Sequence, residues 1–145
     1  MADVHNKKTR SYNMSRIKGK DTKPEMMVRK FLFANGFRYR LHVKNLPGKP
    51  DIVLPKLKTV IFVHGCFWHG HKNCKYFVVP KTRTEWWLAK IERNKQLDLE
   101  NISKLKRIGW KVFCIFECEL KIVKRSKTLY KILNKLNIIS NVKAN

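Results

Sequence analysis

Apolar residues recur at helical spacing early in the chain, with Met27, Phe31 and Ala34 on one register and Val28 and Leu32 on another. Thr22, Pro24 and Glu25 precede them with the Thr-x-x-Glu spacing of a capping box and a proline in the first turn, and Gly36 follows, so a helix is predicted over about 23–35. Phe37, Tyr39, Leu41 and Val43 then alternate with Arg38, Arg40, His42 and Lys44, the period of two of a half-buried strand. After a turn at Pro47 and Gly48, Ile52 to Leu54 reads as a second strand. Thr59 to Val63, apolar throughout, reads as a third and central one.

A second Thr-x-x-Glu start, at Thr82 and Glu85, opens a long helical pattern through Trp87, Leu88, Ile91, Leu97, Ile102 and Leu105, closed by Gly109. Trp110 to Phe116 reads as a fourth strand. Thr128 to Leu136 reads as a basic helix with Leu129, Ile132, Leu133 and Leu136 on one side. The predicted order is helix, three strands, helix, strand, helix, an α/β arrangement. With 145 residues, no internal repeat and no low-complexity linker, one domain over 1–145 is expected. It divides into a basic arm over 1–20, a core over 21–120 and a basic C-terminal helix over 121–145.

Charge narrows the class of partner. Thirty-three Lys and Arg face ten Asp and Glu, a net charge of +23. A folded body with this excess implies an anionic partner, and nucleic acid fits best. Apolar runs fall far short of the ~20 residues that span a bilayer, and no apolar signal segment opens the chain, so neither membrane insertion nor export is expected. Hydrophobic residues at 43% and aromatics at 11% supply a core that a disordered tail would lack. The first twenty residues, carrying Lys7, Lys8, Arg10, Arg16, Lys18 and Lys20, show no apolar period; they read as a binding arm, with a frayed terminus as the alternative.

Scarce acids restrict where metal chemistry can occur. Between Glu25 and Glu85 the only carboxylate is Asp51, placed after Pro50 at the start of a short strand. Just beyond the central strand, His64 to Cys74 gathers three histidines and two cysteines. Cys66, His71 and Cys74 have the spacing of three ligands to one tetrahedral zinc ion. For the fourth, Cys118 lies past the last apolar run and is placed to reach a loop, whereas Cys114 sits between Phe113 and Ile115 and reads as a packed core thiol. If the strand continued, the two would lie about 13 Å apart at ~3.3 Å per residue, too far to share one ion. A disulfide and plain buried thiols are the competing readings. His64 and His69 remain outside the zinc set, as polar loop residues, alternative ligands, or groups for chemistry on a phosphate.

These motifs together resemble a known family. Helix, three strands, helix, strand is the core order of restriction-endonuclease-like nucleases, with a mixed sheet flanked by helices and a Pro-Asp on the second strand. The usual acid and lysine of the third strand are missing here, and Phe62-Val63-His64 followed by His64-Gly65-Cys66-Phe67-Trp68-His69 resembles the very-short-patch (Vsr) mismatch-repair endonucleases. Met1 to His5, Thr9-Arg10-Ser11, Asn13-Met14, Leu46-Pro47-Gly48, Pro50-Asp51, Arg83-Thr84-Glu85, Trp87, and Trp110 through Glu117-Cys118 extend the likeness over roughly 1–120.

The resemblance implies a magnesium-dependent hydrolase that nicks one strand of double-stranded DNA 5′ of the thymine in a T:G mismatch left by 5-methylcytosine deamination. It implies that Asp51 and the backbone carbonyl of Val63 bind Mg2+, that His69 is the general base, that His64 lies beside the scissile phosphate, that Glu25 holds metal-bound waters and that Asp98 orients a histidine. Zn2+ would be held by Cys66, His71, Cys74 and Cys118. Phe67, Trp68 and Trp87 would enter the duplex beside the mismatch, and Lys7, Lys8, Arg10 and Arg16 would clasp the DNA. The expected protein is a bacterial cytoplasmic one, monomeric on DNA, with a functional link to a cytosine-5 DNA methyltransferase and other mismatch-repair proteins. A non-enzymatic zinc-stabilised nucleic-acid-binding module and a general restriction or junction-resolving nuclease are the alternatives.

Overall fold

A computed structural model describes residues 22–144. Helix α1, Lys23–Ala34, starts at Thr22, whose hydroxyl accepts the Glu25 N–H at 3.4 Å, and buries Val28 and Leu32. Strands β1 (Ile52–Leu54) and β2 (Thr59–His64) are joined by one 3-10 turn over Pro55–Leu57. Helix α2 (Thr84–Arg107) crosses to β3 (Lys111–Phe116). A second 3-10 turn, Glu117–Leu120, leads into helix α3 (Ile122–Ala144).

The sheet has order β1-β2-β3, with β1 antiparallel and β3 parallel to β2. Pleating sends alternate residues to opposite faces. Ile52, Leu54, Ile61 and Ile115 pack with Val28 and Leu32 of α1 and Leu129, Ile132, Leu136 and Ile139 of α3. Val53, Val60 and Phe62 pack on the other face with Leu105 of α2. The predicted central strand is central, and both its faces are covered, which is why it reads apolar throughout.

Three expectations need correction. The alternating segment Phe37 to Lys44 is not a strand: it makes one antiparallel bridge, Arg40 with Val53, whose two N–H groups donate to each other's carbonyls at 2.8 and 3.0 Å. His42, at φ +56°, turns the chain off the ladder. Phe37, Tyr39 and Leu41 therefore pack with one core cluster, and Val43 and Leu46 with the other.

The second capping box does not form. Arg83, at φ +54°, is the N-cap of α2 and has no side-chain cap bond, while the Thr84 hydroxyl donates to the Pro80 carbonyl at 2.8 Å. Along α2 only Ile91 and Leu105 are buried, and Leu88 and Leu97 face solvent. Helix α3 extends beyond the apolar stripe at 128–136 into most of the 121–145 segment, because the exposed Ile122, Val123, Ile138 and Val142 blur that stripe at both ends. Among the described residues, no helix is long and apolar enough to cross a membrane.

Candidate active site and metal centre

A cleft of about 770 Å³ opens where β1 begins and β2 ends. Asp51 immediately precedes β1, and its Oδ2 accepts the Val63 N–H at 2.7 Å. Burial pushes the Asp51 carboxyl up to about 6, against the stabilising hydrogen bond from Val63. Glu25 lines the same cleft, is 3% exposed, and accepts from Arg29 at 2.9 Å. The cap position of Glu25 on α1 and its place in the cleft are thus compatible.

The two leftover histidines meet on the far wall. His64 ends β2 and is buried, and its ring stacks on His69 with centroids 3.9 Å apart and planes 9° apart. Burial, with His69 beside it, pushes His64 down to about 4, so its ring is neutral near pH 7. His69 Nδ1 lies 2.6 Å from Asp98 Oδ2, brought in from the middle of α2. His64, His69 and Asp98 are close enough to hold an ion. Nearly parallel rings, however, cannot aim their in-plane lone pairs at one point unless one ring turns.

Adjoining this wall, ligand atoms of Cys66, His71, Cys74 and Cys118 lie within 4.8 Å of one another. The strand stops at Phe116, and the 3-10 turn after it carries Cys118 Sγ to 3.3 Å from His71 Nδ1. Cys114 is left exposed, which corrects its expected place in the core. On β3 it is the partner of Phe62, outside the cluster of thiols beyond the strand end. None of the four cysteines is in a disulfide in this structure. Burial pushes the Cys66 thiol up to about 12, a setting in which a thiolate needs a cation. Three sulfurs and an imidazole at this separation suit a tetrahedral zinc ion, while the oxygen-lined Asp51 corner suits a hard divalent ion.

The loop from β2 to these thiols presses on α2. Gly70 has φ +55°, and a Cβ there would stand 2.7 Å from Ile91 Cγ2, so a side chain is excluded. Asn94 on α2 donates to the Trp68 carbonyl at 2.9 Å. Phe67, Trp68 and Trp87 form a ring cluster with centroids 5.2–5.7 Å apart, and Trp86 meets Trp87 at 4.8 Å. None of the four is buried, so they are not core. Phe67 and Trp68 line the cleft itself.

The structure thus brings together Glu25, Asp51, Val63, His64, His69 and Asp98 in one place, with Cys66, His71, Cys74 and Cys118, which could hold a metal ion, beside it. Lys7, Lys8, Arg10 and Arg16 lie outside the described residues. Sequence reasoning missed Glu117 and Lys49 on the cleft wall and Asn94 behind it. One signal pointed to Glu117: four of only ten carboxylates, Glu25, Asp51, Asp98 and Glu117, surround this single cleft.

Comparison with known proteins identifies the family. The family profile for DNA mismatch endonuclease Vsr matches residues 2–75. The type II nicking enzyme V.NmeAIP of Neisseria meningitidis serogroup A is 52% identical over 121 residues, covering 83% of this chain and 86% of that protein. The DNA mismatch endonuclease Vsr of Escherichia coli K12 is 47% identical over 121 residues, 83% of this chain and 77% of its own. The nicking enzyme V.XorIIP of Xanthomonas oryzae is 45% identical over 120 residues, 83% and 88% of the two chains. A helix-flanked mixed sheet with Asp51, the paired histidines and the thiol cluster at the ends of its strands, together with these relatives, shows that the chain belongs to the Vsr family of DNA mismatch endonucleases.

Proposed function

We propose that this protein is a magnesium-dependent nicking endonuclease that cuts one DNA strand 5′ of the thymine in a T:G mismatch. The observation that carries this reading is the placement of Asp51 and the Asp98-held His69 on one cleft. Asp51 and the Val63 carbonyl would hold the magnesium ion, with Glu25 binding its waters. When bound, that cation supplies neutralising charge for the phosphate that water attacks.

His69 is the residue that takes the water's proton. Its Nδ1 is engaged by Asp98, so Nε2 is left to accept. His64, neutral and held by the sheet, sits beside it as a donor or acceptor to the phosphate. With no acid or lysine at the end of β2, these imidazoles do work that related nucleases give to other groups.

Specificity would come from the rings. Phe67, Trp68 and Trp87 are partly buried and lean on one another, a preassembled wedge. Inserting it unstacks a base step at a cost of a few kcal/mol, least where pairing is imperfect, so a T:G pair yields more readily than a matched one. The arm over 1–20, with Lys7, Lys8, Arg10 and Arg16, would add salt-dependent affinity. A zinc ion on Cys66, His71, Cys74 and Cys118 would pin the wedge loop to the end of β3. The protein would act as a monomer, in a bacterial cytoplasm, on lesions made where a cytosine-5 methyltransferase has acted.

The test is incubation of a T:G duplex and its matched control with magnesium and wild type, Asp51→Ala or His69→Ala. A nick in the mismatched duplex alone, nearly lost in both variants while duplex binding persists, is expected. Equal cutting of matched DNA would favour a general nuclease, and undiminished cutting by Asp51→Ala would remove the metal assignment.

A further inference from the structure

One ring touches both the thiol cluster and the histidine pair. Phe116 stacks face to face on His71, centroids 3.8 Å apart and planes 7° apart. The same ring meets His64 edge to face at 5.5 Å and 77°. His64 in turn stacks on His69, which Asp98 holds. The chain of contacts is therefore His71, Phe116, His64, His69, Asp98.

The sheet fixes the middle of this chain. His64 and Phe116 are partners at the last rung of β2 and β3. Two residues beyond each lies a thiol of the cluster, Cys66 after His64 and Cys118 after Phe116. A metal on those thiols would tie the two strand ends together just past the rung, beside the Phe116 ring that touches both His71 and His64. Close-packed rings cannot slide independently, so a displacement of His71 must be taken up by Phe116 and passed on or absorbed.

We propose that Phe116 is a positioning residue through which the metal held by Cys66, His71, Cys74 and Cys118 sets the orientation of His64 and His69. The thiol-bound metal then tunes the reaction as well as the fold. The effect on rate rests on the proposed function. The mechanical coupling does not, and it can be read without catalysis.

The experiment follows the histidine ring 1H–15N signals as Cd2+ replaces Zn2+. Cadmium is larger than zinc and must shift His71. In wild type the His64 and His69 signals are expected to move with the exchange. In Phe116→Leu and Phe116→Met they should stay still, with one equivalent of either metal still bound. Nicking of the T:G duplex should fall roughly 10-fold in kcat in both variants, with KM unchanged. Phe116→Tyr should restore both rate and coupling.

Still His64 and His69 signals in wild type would overturn the proposal. So would a response that survives in either folded variant, which would assign the coupling to the backbone between His64 and Cys66. A wild type that couples the signals but nicks no T:G duplex would instead refute the proposed function and leave the relay standing.

Discussion

Asp98 Oδ2 lies 2.6 Å from His69 Nδ1, and the contact joins the middle of α2 to the loop after β2, 29 residues away. It sets the two ring nitrogens apart: Nδ1 faces the carboxylate, and in the proposed reaction Nε2 would accept the proton. Asp98→Asn keeps the size but offers an amide that can present either a donor or an acceptor. Single-turnover nicking should drop on the order of 100-fold, the scale of losing a well-poised general base, with duplex Kd unchanged. An unaffected rate would show that Asp98 only solvates the helix.

The two thiols of the β3 region can be separated by metal content. Cys118 Sγ stands 3.3 Å from His71 Nδ1, whereas Cys114 is exposed and outside the cluster. Purified Cys114→Ser should retain one zinc per chain, and Cys118→Ser should lose it and melt at lower temperature. Loss of zinc from Cys114→Ser alone would reverse the assignment.

Gly70 stands where the loop after β2 leaves no room for a side chain against α2. Alanine there would meet Ile91 Cγ2 at 2.7 Å and Lys95 Cδ at 2.9 Å, in a left-handed conformation. Strain and overpacking together should cost about 2 to 4 kcal/mol. Denaturant unfolding of Gly70→Ala measures this directly, and a change below about 0.5 kcal/mol would mean that the loop moves aside freely.

The cleft also makes the metal-free protein respond to pH in two opposed ways. Burial raises Asp51 from 3.8 to about 6, so its ionisation costs stability progressively from about pH 4 to 6 and fully above that. His64 is lowered from 6.5 to about 4, so charging it costs stability as pH falls through that range. Asp51→Asn removes only the first cost and can still accept from Val63. In chelator it should be more stable than wild type at pH 7 by about 2 kcal/mol, below the ~3 of the full shift because the cleft is open to water. The difference should vanish below about pH 4, and magnesium should narrow it at pH 7. A variant less stable than wild type at pH 7 would contradict the burial cost.

Much of this protein is legible along the chain because its signals are local. Thr22 and Pro24 announce α1, the unbroken apolar run of β2 announces a strand covered on both faces, and a carboxylate standing alone for sixty residues makes Asp51 conspicuous. Cys66, His71 and Cys74 have the spacing of a metal loop, and their ligand atoms do meet within 4.8 Å, since residues within one short loop can reach one point with little help from the rest of the fold.

The tertiary structure decided what depends on residues distant in sequence. Alternation from Phe37 to Lys44 reported which side chains are buried but not that His42 would leave the ladder, because burial and strand pairing share the same period. No spacing could show that Asp98, one acid among several on α2, would meet His69, or that Phe116 would lie between His71 and His64. Those contacts exist because the parallel pairing of β2 with β3 sets two strand ends side by side, while α2, packed across the sheet, carries Asp98 to the same end. The sequence determines the donors, the rings and the charge of +23; the register of one strand pair determines which of them meet.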